Sequence, residues 1–270
     1  MPRTTDLPKA AIVTRYNGGE SCGTLAVAYG RAESTMRENL HRWGAAIRRR
    51  GPARTYTLDE AFFHSIDTEA KAYWLGFILA DGRVGRTGAG NWICRVDLSV
   101  RDEGHLRKLA AAVKTTAPIK IGHHGASAYL DLCSVQLCYD LRLLGCTPHK
   151  TGKHGTPAID AELKYHFYRG YFDGDGSLFA VPQIHAWRVD VIGATGFIKE
   201  FQNWLVQRAA VKPTKLRQVD CSADVSSLRY TGGPQIERIM RLLYDGANDY
   251  LDRKYDRFME LLGRSKRRTT

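Results

Sequence analysis

Asp81 and Asp175 stand 94 residues apart in two matching segments, AYWLGFILADGRV from Ala72 and FYRGYFDGDGSLF from Phe167. At that offset Gly76 meets Gly170, Ala80 meets Gly174, Asp81 meets Asp175 and Gly82 meets Gly176. Read as helices, both segments put their aspartate at the C-terminal end, where the backbone dipole disfavours a carboxylate by several tenths of a kcal/mol. A rule broken twice at matched positions points to function. Two carboxylates brought together repel unless a divalent cation lies between them, and oxygen ligands favour Mg²⁺, with Mn²⁺ able to substitute. Such a cation also takes phosphate oxygens. The chemistry in view is metal-assisted phosphodiester hydrolysis, with Asp81 and Asp175 as ligands and Ala80, Gly82, Gly174 and Gly176 lining the metal site.

The elements that must position these aspartates follow from spacing. Gly76 and Ala80, like Gly170 and Gly174, are small residues four apart on one helical face, so two such helices can pack closely along the axis between halves, with Gly76 and Gly170 at their interface. Trp74, Phe77, Ile78, Tyr171 and Phe172 then turn into the core of each half. Asp173, whose counterpart is Leu79, reads as a helix-surface residue. Period-two stretches follow, WICRVDLSV from Trp92 and AWRVDVIG from Ala186, and read as strands. Next come the helices GHLRKLAAAV from Gly104 and GFIKEFQNWLV from Gly196, each leading to a basic strand that holds Lys120 or Lys215. CYDLRLLG and IERIMRLLY close the two repeats as helices, and the chain reads as an internal duplication.

WLGFILADG and YRGYFDGDG resemble the LAGLIDADG homing endonuclease motif, and their occurrence twice resembles the single-chain, two-repeat members over roughly residues 67 to 262. The resemblance implies an α+β fold: a pseudo-twofold duplicated αββαββα body whose saddle-shaped antiparallel sheets straddle duplex DNA. It also implies site-specific double-strand cleavage, one phosphodiester per strand, leaving three-prime overhangs, in the service of a mobile element. Such proteins place a basic residue near each metal site, usually a lysine late in each repeat. Lys150 and Lys254 are the candidates here, with Lys120 and Lys215 as rivals. DNA readout would come from strand side chains. Arg95, Asp97, Ser99 and Arg101 alternate on one face, as do Arg188, Asp190 and Ile192, with Arg217 and Arg229 as further candidates; alternation does not say which face meets DNA.

Ahead of the duplication lies a segment of another texture. Lys9 to Tyr16, Ser21 to Tyr29 and a third stretch capped by Ser34 and running to Arg42 read as three helices, with turns at Asn17-Gly18-Gly19 and Gly30. TLAVAYGRAESTMRENLHRWG resembles the helix-turn-helix of resolvase-like and phage regulators, which makes the third helix, with Thr35 and Arg37, a DNA reader. Residues 1–56 hold ten Lys or Arg against four acids, and IRRRGPAR, with Arg49 and Arg50, suits an extended arm on phosphates or in a minor groove. The expected domains are 1–56, all-α with a basic linker; 57–155, the first repeat; and 156–270, the second repeat with a basic tail.

The whole chain, 270 residues with net charge +12, calls for a polyanionic partner, namely double-stranded DNA. No apolar run reaches the roughly 18 residues a membrane span needs. The N-terminus lacks the apolar stretch of a secretion signal, so a cytoplasmic location is expected. Cys22, Cys94, Cys133, Cys138, Cys146 and Cys221 show no C-x-x-C pairing and read as reduced core residues, and the nine histidines show no metal-ligand spacing. No small-molecule cofactor is expected, and one chain carrying both aspartates reads as a monomer. A transcription regulator on the same scaffold and an RNA maturase are the other readings; the retained aspartates weigh against the first and the helix-turn-helix against the second.

Overall fold

The computed structural model describes residues 7–18, 20–47, 55–147, 155–219 and 224–266. The chain divides into two compact units, residues 1–54 and 55–270.

The first unit is all-α: α1 (Lys9–Asn17), α2 (Cys22–Ala28) and α3 (Glu33–Arg42). Ser21 caps α2, its hydroxyl accepting from the Thr24 amide at 3.0 Å. Gly30 turns the chain at φ +61°, a left-handed conformation that suits glycine. Ile12, Tyr16, Leu25, Ala26, Met36 and Leu40 form a core of their own. The α3 start differs from the sequence reading: the cap is Ala32, without a side-chain bond, and Ser34 lies inside the first turn.

The second unit repeats one order of elements. α4 (Glu69–Asp81), β1 (Gly82–Arg86), β2 (Trp92–Ser99), α5 (Glu103–Ala112), β3 (Lys120–Ile121), β4 (Ser127–Leu132) and α6 (Val135–Leu143) make the first half. α7 (Lys164–Asp175), β5 (Gly176–Val181), β6 (Ala186–Ala194), α8 (Thr195–Ala209), β7 (Arg217–Gln218), β8 (Val225–Gly232) and α9 (Pro234–Tyr244) make the second, and α10 (Asp252–Lys266) follows. Each half contributes a four-stranded antiparallel sheet, ordered β1-β2-β4-β3 and β5-β6-β8-β7. Strand burial alternates, so one face of each sheet joins a single apolar core spanning both halves and the other faces solvent. This is an α+β duplicated αββαββα architecture.

The halves meet through α4 and α7. A β-carbon on Gly76 would overlap the carbonyl oxygen of Phe167, and one on Gly170 would overlap that of Tyr73. Backbone lies against backbone at both places, which only glycine permits. Thr68 caps α4 by accepting from the Lys71 amide, and Tyr73, Trp74, Phe77, Tyr171 and Phe172 are buried on either side of the seam. Among the cysteines, Cys22, Cys94, Cys138 and Cys146 are buried, whereas Cys133 is exposed, against the reading of a core residue; Cys221 lies outside the described residues.

Candidate active site

The seam delivers the two aspartates to one place. Asp81 is the last residue of α4 and Asp175 the last of α7, and both are exposed. Ala80 Cβ occupies the space beside Gly174, where an added methyl would also meet Asp81 Oδ2 at 3.4 Å. The Asp81 carboxylate therefore leans over Gly174 in the last turn of the opposite helix, one residue before Asp175. Tyr171 senses both: its phenol is pushed well above the usual range by burial first and then by Asp175 and Asp81. Its hydroxyl donates to the Ile192 carbonyl at 3.0 Å. Gly82 and Gly176 leave the helices in extended conformation and open β1 and β5, so each carboxylate sits at the root of a strand.

Beneath the α7 terminus lies Lys254, 3% exposed. Its ammonium donates to the carbonyls of Phe172, Asp173 and Gly176, each at 2.6 Å, and of Gly174 at 3.2 Å. These include the carbonyls a helix end leaves unsatisfied, and a cation there complements the dipole. Burial pulls the lysine down to about 8, against the opposing pull of Asp173, Asp81 and Asp175. Lys254 thus holds the turn that carries Asp175 and does not open onto solvent. The carbonyls of Gly174 and Gly176 face this ammonium, whereas the Asp81 and Asp175 side chains are exposed.

Asp173 overturns its reading as a surface residue. It is fully buried, accepting from Tyr73 Oη at 2.7 Å, Tyr244 Oη at 2.5 Å and the Leu251 amide at 2.8 Å. Burial raises its carboxyl. Tyr73 Oη, having donated to Asp173, takes its second contact from His105 Nε2 at 3.1 Å, which places the imidazole proton on Nε2. His105 is pushed down to about 3, first by burial and then by nearby cations. The signal for this network is a carboxylate among aromatic neighbours; its phenolic partners lie 100 and 71 residues away.

Among the described residues no cluster of three or more His, Cys, Asp or Glu could hold a metal. The donor set, two carboxylates with hard oxygens, fits a cation that shares its shell with water and a phosphodiester, which is how Mg²⁺ is usually held.

Basic side chains lie on the solvent faces of both sheets. Arg95, Asp97 and Ser99 share the outer face of β2, joined by Arg83 of β1, Tyr129 and Asp131 of β4 and Lys120 of β3. Arg188 and Asp190 of β6, Arg229 of β8 and Arg217 of β7 share the corresponding face. Arg83, Tyr129 and Asp131 escaped the sequence reading, although their alternation with buried Val84, Ala128, Leu130 and Leu132 marks the face. Two placements are corrected: β2 ends at Ser99, so Arg101 falls in a 3-10 turn, and Lys215 lies in the loop before β7. A cavity of about 480 Å³ at the edge of the second sheet is lined by Lys212, Lys215, Arg217 and Arg229 among others. On the first unit, Thr35 is exposed and Arg37 half-buried beside a shallow cleft with Ser34, Glu38 and His41. Lys150, Arg49 and Arg50 lie outside the described residues.

No protein-family model and no curated protein matches the sequence. Solved structures do match in fold. A double mutant of I-SmaMI, at 13% identity, covers 73% of this chain and 92% of its own, with a TM-score of 0.52. Meganuclease I-SmaMI bound to uncleaveable DNA, at 13% identity, covers 76% and 92% with a TM-score of 0.51, and a second such complex at 14% identity covers 73% and 91% with the same score. I-SmaMI is a LAGLIDADG homing endonuclease. With two glycine-packed helices, each ending in an aspartate and opening an antiparallel sheet, this chain has the LAGLIDADG homing endonuclease fold.

Proposed function

We propose that the protein is a monomeric, Mg²⁺-dependent, site-specific DNA endonuclease that hydrolyses one phosphodiester in each strand and leaves three-prime overhangs. The observation that carries this reading is the meeting of Asp81 and Asp175 at the helix seam, each at the root of a strand whose sheet turns a cationic face to solvent. A polyanion that reaches the carboxylates must run along those faces. When bound, a divalent cation supplies an activated water and neutralises charge on the leaving oxygen. The chain's own part is to hold and orient. Asp81 and Asp175 fix the cation, one per strand cut. Lys254 pins the last turn of α7 from below, so Asp175 keeps its position when charge develops. Arg188, Arg217, Lys120 and Lys215 take phosphates, and Lys150 belongs to the same reading as the first-half basic residue. The α3 helix, with Thr35 and Arg37, extends the footprint on DNA, with Arg49 and Arg50 on the backbone.

Selection of bound duplexes from a randomised library, then incubation with Mg²⁺ and sequencing of the ends, tests this. The parent should cut both strands of an enriched sequence with three-prime extensions, and Asp81→Asn or Asp175→Asn should bind it yet lose double-strand cleavage. Binding without cutting by the parent would favour a regulator. Variants that cut like the parent would remove the two aspartates from the site.

A further inference from the structure

Each outer face carries one bidentate arginine–carboxylate pair, at equivalent places but with the polarity reversed, and in the first sheet Asp131 also lies 3.4 Å from Lys120 Nζ. Val96 lies opposite Gly82 and Val191 opposite Gly176, so their neighbours Arg95 and Asp190 occupy the same position in the two halves. Arg95 faces Asp131 across β2 and β4, whereas Asp190 faces Arg229 across β6 and β8. Both pairs are bidentate and use the same guanidinium edge. Arg95 Nε and Nη2 donate to Asp131 at 2.6 and 2.9 Å, and Arg229 Nε and Nη2 donate to Asp190 at 2.7 and 2.9 Å. The arginines are 31% and 33% exposed and the acids 13% and 16%, so the free ends of the guanidinium groups point outward. Arg95 also stacks over Tyr129, with Cζ 4.3 Å from the ring centroid.

A guanidinium has five N–H donors. The carboxylate takes two along one edge and leaves a parallel pair on Nη1 and Nη2, which matches the N7 and O6 acceptors of guanine in a major groove. At Arg229 the carboxylate of Asp190 also offsets the charge that would draw the arginine to a phosphate, and at Arg95 the carboxylate of Asp131 fixes the guanidinium while Lys120 keeps the cluster cationic; in both the directional donors stay intact. From this geometry we infer that Arg95 and Arg229 are guanine-reading side chains, held by Asp131 and Asp190, and that the two guanines they read are not mirror-related, because the arginines stand on non-equivalent strands. Arg95 is one strand away from β1, which leaves Asp81; Arg229 is two strands away from β5, which leaves Asp175. One strand spacing is about 4.8 Å against a rise of about 3.4 Å per base pair, an offset of roughly one base pair.

The inference rests on the DNA-cleaving reading, and a binding selection separates the two. Full-length protein is equilibrated with a randomised duplex library without divalent cation, and the bound pool is sequenced. The parent should enrich one guanine on each side of the centre, at positions that are not mirror-related. Arg95→Gln should change one of these columns from guanine towards adenine and Arg229→Gln the other, since glutamine pairs with adenine. Asp131→Asn should flatten the Arg95 column by about 5- to 150-fold in discrimination while leaving overall affinity equal or higher. Glutamine variants that weaken all sequences alike, or guanines at mirror-related positions, would overturn the inference alone. A pool with no enriched sequence would overturn the DNA-cleaving reading with it.

Discussion

A buried ammonium bonded to four carbonyls is hard to remove without cost, and this sets an expectation for Lys254 that a purely chemical role would not. Lys254→Met leaves the carbonyls of Phe172, Asp173, Gly174 and Gly176 without a donor and Asp173 without its nearest cation. The expected loss is about 3–5 kcal/mol in denaturant unfolding of the metal-free, DNA-free protein. An unchanged midpoint would return the residue to the reaction itself. His105 carries a pH signature. Its folded value near 3 lies below its ordinary 6.5, so as pH falls the unfolded chain takes up a proton first, and the stability present above 6.5 drains away towards 3. Unfolding measured across that window should be flatter for His105→Gln than for the parent. Asp173, raised by burial, tilts stability the opposite way in both proteins and drops out of the difference to first order.

At the scale of elements, the α4 and α7 contact tolerates nothing beyond hydrogen at its centre. Gly76→Ala drives a methyl into the Phe167 carbonyl, backbone that cannot rotate away, and should destabilise the body by about 3 kcal/mol or more. Gly104→Ala, on the open side of α5 with nothing within 4 Å, should instead stabilise it by about 0.4–1 kcal/mol. Thermal unfolding of the two variants side by side checks both. These elements were legible because the duplication supplied each twice: small residues four apart, an aspartate before glycine, then alternating strands. What escaped depended on contacts distant in the chain. Asp173 was misplaced because its cover comes from Tyr244 and from Leu251 beside α10, and no local pattern announces a helix end packing over a carboxylate. Arg101 and Lys215 were misplaced by ordinary uncertainty in where a strand begins or stops. The reversed pairs Arg95–Asp131 and Asp190–Arg229 were half visible, since alternation exposed the arginines while their carboxylate partners required cross-strand register.

The whole molecule carries two independent cores, so residues 55–270 should unfold in one cooperative transition both when expressed alone and within the full chain. Calorimetry of both proteins tests this, and loss of folding in the fragment would show that the first unit is required. A net charge of +12 implies strongly salt-dependent DNA affinity, and Arg83→Ala, on the outer face of β1, should lower the slope of log K against log salt by about one. No helix among the described residues is long and apolar enough to cross a membrane. The seam itself is lopsided. Tyr73 in the first half serves Asp173 in the second, yet the counterpart of Asp173 is Leu79 and that of Tyr73 is Phe167. Two copies of the second half would entomb two acids with no phenol across from them, and two copies of the first would set phenols against leucine. Either pairing of like halves would lose the Tyr73–Asp173 bond, so the two surfaces are complementary and no longer interchangeable.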